Sequence, residues 1–423
     1  MAAVALRRGS RRIPFPQRNH QYLSTLSAPS DPAPSPPPPP SPSPSNPIAR
    51  LKSTIRAESD PDRIAELFHS AAASGVPRFH AQRPLFFLAV HKLARAHRPD
   101  LVEGLLDPFL SDPAAPRSEG FLARLISLYS AAAMPDHAAR TFDRMPGLGV
   151  PRSDKSLSAL LSAFLHNRCF DRLHDAFDRA PKELGIAPGI VSNNILLQAL
   201  CENGEVVAAR KVLDEMAEKK RDSPVEPDII SYNTLLNGYL KKGDADGFEE
   251  ILKEIAHRGL EPNVVTFNCR ISKFCKKSES FKAEELLDVM VSKGSQPNLG
   301  SFNTIIAGFC KEGDVASALR VFKRMKVMKR MNGKDGLSPN PDTYIMLIRS
   351  LAEKGEFGHA LVISKECLTK KFAPPFEVVK GLIDGLVKDS KVDEAKDFVA
   401  KMREILKGDA VDAWKKFESA LSL

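Results

Sequence analysis

The chain has 423 residues, 43% of them hydrophobic but only 7% aromatic, which supplies ample core and suits paired helices better than sheets. Its net charge of +9 is concentrated at the start: Arg7, Arg8, Arg11, Arg12 and Arg18 precede Glu58 with Asp31 as the only acid. Beyond residue 47 the chain is only mildly basic, a weak argument by itself for a polyanionic partner. The longest apolar runs, such as PLFFLAV at 84–90, are too short to span a bilayer, which excludes a transmembrane helix.

Residues 1–28 carry Arg and Ser and no acid, the pattern of an organellar transit peptide. Arg clustered in the first dozen positions favours a mitochondrial address over a chloroplast one, with cleavage expected between Tyr22 and Ser27. Residues 29–47 are Pro and Ser with almost nothing to bury, hence an extended linker. Helical patterns begin at 48; in DPDRIAELFHSAAASGV, Asp60 is the expected cap, Pro61 opens the first turn, and Ile64, Leu67 and Phe68 form an apolar stripe. Across 48–189 the pattern is degenerate, but units ending at Ser118, Ser153 and Gly189 can be laid out, with Leu88, Ala123 and Ser158 as their fifth residues.

From 190 the chain repeats itself. Residues 229–263 and 264–298 align over thirty-five positions, Tyr232 with Phe267, Asn233 with Asn268, and Lys241–Lys242 with Lys276–Lys277. Copies at 190–228 and 299–340 extend the register, with extra residues in EKKRDSPVEPD and around MNGKDG. A period in this range is the mark of a solenoid, and insertions at unit junctions become loops on one edge. Each copy reads as two helices: Leu235, Leu236 and Tyr239 line the first up to the turn at Gly243, and Phe248, Ile251, Leu252 and Ile255 line the second before Gly259 and Pro262. Neither helix buries its stripe alone, so neighbouring units close the core. The expected fold is all-α, a right-handed α-solenoid.

Cys201, Cys275 and Cys310 are each the twelfth residue of a unit, the behaviour of a small core residue. There is no CxxC pair, and Cys269 and Cys275 lack a His at zinc spacing, so neither a metal nor a cofactor is expected. Two further units occupy 341–375 and 376–410, with Ile345 and Lys380 fifth; 411–423 reads as a capping helix with Val411, Trp414 and Phe417 on one face.

Units opening with an aromatic-Asn-Thr-Leu/Ile pattern and closing with Gly-x-x-Pro-Asn resemble pentatricopeptide repeats of the P class. The period of 35, the Asn after the aromatic and the missing W-x2-L-G-x2-Y pattern separate them from tetratricopeptide repeats. The resemblance implies that each unit reads one RNA base through its fifth and last residues: Asn194 with Asp228, Asn233 with Asn263, Asn268 with Asn298, and Asn303 with Asn340. It implies uracil at the first pair and either pyrimidine at the other three, 5'-U-Y-Y-Y-3', a sequence met about once in 32 nucleotides if each unit reads one base. It also implies that the second residues Val191, Ile230 and Val265 sandwich the bases, where Gly300 departs from the pattern. Lys241, Lys276 and Lys311, each thirteenth in its unit, would meet backbone phosphates, with Glu202 in that place in the first unit.

A narrower resemblance rests on the KSTIRAESDPDRI opening at 52–64, GLVKDSKVDEAK at 385–396 and the final Trp414 with Glu418. These look like the small P-class proteins that are integral to the plant mitochondrial ribosome. That likeness implies a non-catalytic RNA binder of the ribosomal small subunit, contacting single-stranded pyrimidine-rich RNA, rRNA or mRNA, and mitochondrial ribosomal proteins. The alternatives are a free factor for mitochondrial RNA processing or stabilisation, and a protein–protein scaffold. The sequence holds neither the deaminase H-x-E with C-x-x-C nor a P-loop, so an enzyme is not expected.

Overall fold

The computed structural model describes residues 47–74, 76, 79–112, 115–218, 225–328, 336–406 and 409–419. The expected transit peptide and all but the last residue of the linker lie outside these, as do most residues of the two junction insertions and the chain's last four residues. The chain divides into compact units 1–53 and 54–423. Of the first, residues 47–53 are described, and they are helical.

Among the described residues the second unit is helical throughout, with no strand. The four central repeats have leading helices Ile190–Asn203, Ile229–Lys242, Val264–Lys276 and Leu299–Glu312. Their trailing helices are Val206–Ala217, Ala245–His257, Ser280–Ser292 and Val315–Val327. Helix pairs Glu119–Ala131 with Pro135–Arg144 and Asp154–His166 with Phe170–Glu183 precede them; Pro341–Glu353 with Phe357–Thr369 and Phe376–Lys388 with Val392–Ile405 come after.

Local chemistry sets these limits. Asp228, Asn263, Asn298 and Asn340 each cap a leading helix from extended backbone, and each forms a capping box with Ser231, Thr266, Ser301 or Thr343, closing orphan N–H groups of the first turn. Gly243, at φ 79°, ends one leading helix in the left-handed region that glycine enters without a Cβ penalty. Asp60 caps its helix as expected, accepting the Asp62 N–H behind Pro61.

Packing runs from unit to unit. A continuous core joins Phe267 through Phe302, Tyr344 and Leu382 to Trp414, so no repeat completes its own interior. Trp414 is fully buried and lies 5.3 Å from Phe376 and 5.0 Å from Phe417 between ring centroids, which closes the last face with aromatic area. Cys275 and Cys310 sit in this packing, Cys201 is buried in its own unit, and burial pushes all three thiols up, to about 12 for Cys201 and about 11 for Cys275. Nucleophilic thiolate chemistry is thereby disfavoured, which fits a packing role. Leading helices approach closely because the tenth residue can be glycine. A Cβ on Gly308 would stand 2.3 Å from Ser280 Oγ and 2.8 Å from Cys275 Sγ.

Trailing helices are tied by ion pairs one unit apart, Arg320 to Glu284 at 2.7 Å, Arg324 to Asp288 at 2.5 Å and Arg210 to Glu254 at 2.7 Å. Glu254 also accepts the Tyr232 hydroxyl at 2.9 Å. Burial alone would raise its carboxyl, but hydrogen bonds from Arg210 and Tyr232 outweigh that and hold it below the usual glutamate range.

Gly308→Ala should destabilise the chain by about 1–3 kcal/mol through overpacking. Gly104→Ala, inside a helix where an added Cβ meets nothing within 4 Å, should stabilise it by about 0.5–1 kcal/mol. Thermal melts monitored by circular dichroism test the opposite signs. Because the folded-state pKa of Glu254 is depressed, its contribution is present above the ordinary glutamate pKa and is lost as pH falls through the folded value. Glu254→Gln should therefore melt below the parent at neutral pH, and the gap should narrow on acidification; a gap independent of pH would contradict the assignment.

Candidate nucleic-acid interface

A leading helix turns 100° and rises about 1.5 Å per residue, so the second, fifth and thirteenth positions of a unit fall on one side of it. The fifth lies about 60° from the second, and the thirteenth about 20° from the second and some 16 Å further along. Stacked leading helices thus present three rows of side chains.

The fifth and last residues meet in all four units. Asn194 Nδ2 donates to Asp228 Oδ1 at 3.2 Å, Asn233 to Asn263 Oδ1 at 3.0 Å, Asn268 to Asn298 Oδ1 at 3.4 Å, and Asn303 to Asn340 Oδ1 at 3.2 Å. Each cap oxygen is held by the next leading helix, Asp228 and Asn263 by two N–H groups, as Asn263 Oδ1 is by Val265 and Thr266, and Asn298 and Asn340 by one, from Ser301 and Thr343. The Oδ1 of each fifth-residue amide accepts a hydroxyl: Ser231 to Asn194 at 2.6 Å, Thr266 to Asn233 at 2.8 Å, Ser301 to Asn268 at 2.6 Å, and Thr343 to Asn303 at 2.8 Å. An Asn amide carries two N–H groups and a carbonyl with two lone pairs. One of each is used inside the protein, leaving one N–H and one lone pair for a further partner. Asp228 Oδ2 and the Nδ2 groups of Asn263 and Asn298 take no part in this network, whereas Asn340 Nδ2 is drawn to Asp342 at 3.2 Å.

The second-residue row is uneven. Val191 and Ile230 are exposed, at 55% and 41%, an unusual setting for β-branched apolar side chains on a helix with a packed opposite face. Val265 is half-buried, and Gly300 offers no side chain. The sequence reading missed Asp342, the second residue of unit 341–375, which puts a carboxylate beside the fourth Asn pair. Its position in the register was the available signal. Two apolar residues therefore flank the first pair (Val191, Ile230) and the second (Ile230, Val265), one the third, and none the fourth.

In the third row Lys241, Lys276 and Lys311 are exposed. Lys276 Nζ donates to the Leu240 carbonyl at 2.8 Å, across the unit boundary at the end of the preceding leading helix, so it also neutralises a helix C-terminus. Glu202, in the same row of the first unit, accepts from Gln198 at 2.9 Å.

The upstream units fill the same junction differently. Glu119 Oε1 accepts from the Ser153 N–H at 3.0 Å and from its hydroxyl at 2.6 Å, and Asp154 Oδ1 accepts from the Gly189 N–H at 2.8 Å and the Ser192 hydroxyl at 2.5 Å. A Cβ on residue 189 would stand 2.6 Å from Asp154 Oδ2, so the glycine makes room for this carboxylate. The fifth residue there, Ser158, shares a hydrogen bond with Ser192 at 2.9 Å, while Ala123 is buried. Ile345 and Lys380 bring no amide to the downstream units. Among the described residues no cluster of metal-ligating side chains occurs.

The PPR repeat model matches residues 194–220, 265–295 and 379–405. The PPR repeat family model matches 227–276, and a further PPR repeat model matches 293–326. The chain is 30% identical over 380 residues to the small ribosomal subunit protein mL103 (rPPR7) of Arabidopsis thaliana, covering 89% of this chain and 88% of that one. It is 28% identical over 377 residues to the Arabidopsis pentatricopeptide repeat-containing protein At2g18520, mitochondrial, covering 89% and 86%. Similarity to the Arabidopsis small ribosomal subunit protein mS78 (rPPR3a) is 37% over 175 residues, 41% of this chain and 43% of that protein. With near full-length similarity to mL103 added to the repeat matches and the recurring junction geometry, the chain belongs to the pentatricopeptide repeat family.

Proposed function

We propose that this protein is a non-catalytic RNA binder of the mitochondrial ribosome's small subunit, holding a short single-stranded, pyrimidine-rich segment of RNA along its four central units. The observation that carries the reading is the fourfold recurrence of an Asn amide fixed against the next helix cap with hydrogen-bonding capacity to spare. An amide that both donates and accepts can pair with the Watson–Crick edge of a pyrimidine. Exposed Val191 and Ile230 supply apolar faces for a stacked base, and Lys241, Lys276 and Lys311 supply cations for the backbone.

Magnitude favours an assembled setting. Stacking at about 1–3 kcal/mol per base over the well-flanked pairs is no larger than the cost of association. A chain with so short a reading surface gains selectivity when other contacts bring the RNA to it, as a ribosomal subunit would. The names of the relatives point the same way, two to a small ribosomal subunit and one to mitochondria. The basic segment at 1–28 agrees with a mitochondrial address.

Sedimentation of the tagged protein from purified mitochondria should place it with the small ribosomal subunit after a salt wash. Migration in light fractions would instead assign it to free RNA-bound complexes. With purified protein and pyrimidine oligoribonucleotides, Asn233→Ala combined with Asn268→Ala should weaken binding by at least about tenfold, as expected for two lost base contacts. Asn303→Ala, at the pair flanked by Gly300 and Asp342, should cost no more than about twofold, within the worth of one weak hydrogen bond. Equal losses at both places would remove the case for the apolar flanks.

A further inference from the structure

Which way round an Asn amide presents its donor and acceptor decides what it can read, and this structure fixes that choice by a relay that starts in the backbone. In the second central unit the Asn263 backbone N–H donates to Thr266 Oγ1 at 3.2 Å. A backbone N–H cannot reverse its role, so the hydroxyl, accepting there, sends its proton onward. It goes to Asn233 Oδ1 at 2.8 Å, with a longer contact to Asn263 Oδ1 at 3.3 Å. On its other side Asn233 Nδ2 meets Asn263 Oδ1, which is itself held as an acceptor by two helix N–H groups. A flipped Asn233 amide would set oxygen against oxygen at the cap and forfeit the hydroxyl bond.

The relay recurs at each station. The backbone N–H groups of Asp228, Asn298 and Asn340 donate to Ser231, Ser301 and Thr343 at 3.2, 3.2 and 3.3 Å. The Ser231 and Ser301 hydroxyls donate to Asn194 and Asn268, while the Thr343 hydroxyl is shared between Asn303 at 2.8 Å and Asn340 Oδ1 at 2.7 Å, which makes the fourth station the weakest lock. All four hydroxyl residues are buried, at 1% exposure or less, so none can touch a base.

We propose that the third residue of each succeeding unit, Ser231, Thr266, Ser301 or Thr343, is a positioning residue for base selection. Its hydroxyl locks the fifth-residue amide of the unit before it in one orientation. The inference rests on the base-reading function proposed above and adds to it residues that act through the amide. Selectivity at one station is then set partly by the next unit, and only a hydroxyl residue that can serve the capping box and the amide together suffices.

The test uses the full chain and a set of single-stranded RNAs carrying a UCCC core in which each position is replaced in turn by adenine. Affinity is measured for the parent, Thr266→Val, Thr266→Ser and Asn233→Ala, with circular dichroism melts as the folding check. Thr266→Val keeps the shape and removes the hydroxyl. It should reduce the adenine penalty at one position about two- to tenfold, the ordinary worth of one hydrogen bond, while leaving the other positions unchanged. Thr266→Ser should retain the parent profile. A merely structural role would weaken binding to every RNA alike; an unchanged profile in Thr266→Val, where Asn233→Ala flattens the same position, overturns the positioning role alone. If Asn233→Ala flattens no position, the base-reading function itself falls. Should loss of the cap unfold Thr266→Val, Ser301→Ala applies the same comparison at the Asn268 station, with Asn268→Ala as its reference.

Discussion

The hydrogen bond from each fifth-residue amide to the next helix cap is the constraint on which the central array turns. The cap residue has three duties at once. It satisfies N–H groups at the start of its own helix, it marks the hand-over between units, and it offers the previous unit's Asn an oxygen of fixed position. Helix capping contributes on the order of 1 kcal/mol to stability, so the cap side chain is held by folding energy whether or not RNA is bound. The spare donors and acceptors are thereby ordered before a ligand arrives, which lowers the entropic cost of binding.

Repeat stacking gives that local geometry its spacing. At two junctions a tenth-position glycine faces a twelfth-position thiol, Gly238 against Cys201 and Gly308 against Cys275, and lets the leading helices approach closely, while Arg–acid pairs one unit apart hold the trailing helices on the other layer. The exposed ion pairs are worth little individually. Together with the continuous apolar core they set one repeat against the next, so that the amides fall in a row.

The fold was legible in the sequence wherever units agree in register. The helix pairs, the cap at Asp60, the turn at Gly243 and the buried cysteines arise from periodicity, turn chemistry and the identity of recurrent positions. The meeting of fifth and last residues was legible only through the family resemblance, because 30 to 37 residues separate them and no local pattern joins them. Two features were hidden. The third-position hydroxyls carry no local signal of a second role, since that bond crosses to the preceding unit. Asp154 gave no signal either, because its reach to Gly189 depends on a glycine that removes the obstructing Cβ.

That substitution gives the array a physical beginning. At the junction after residue 189 a carboxylate replaces the cap side chain and a short hydroxyl replaces the amide. Asp154 still ties the two units together through the Gly189 N–H and the Ser192 hydroxyl, so the stack continues without a break into the degenerate units. The amide row does not continue, because Ser158 has no amide to offer a base and Gly189 has no side chain to meet it. At the other end Asp342 draws off the Asn340 amide and adds negative charge where a stacked base would need an apolar face. The same junction can thus serve stability in every unit and recognition in a few. The stretch proposed to hold RNA is bounded by the charge and length of individual side chains, with no change in the helical scaffold on either side.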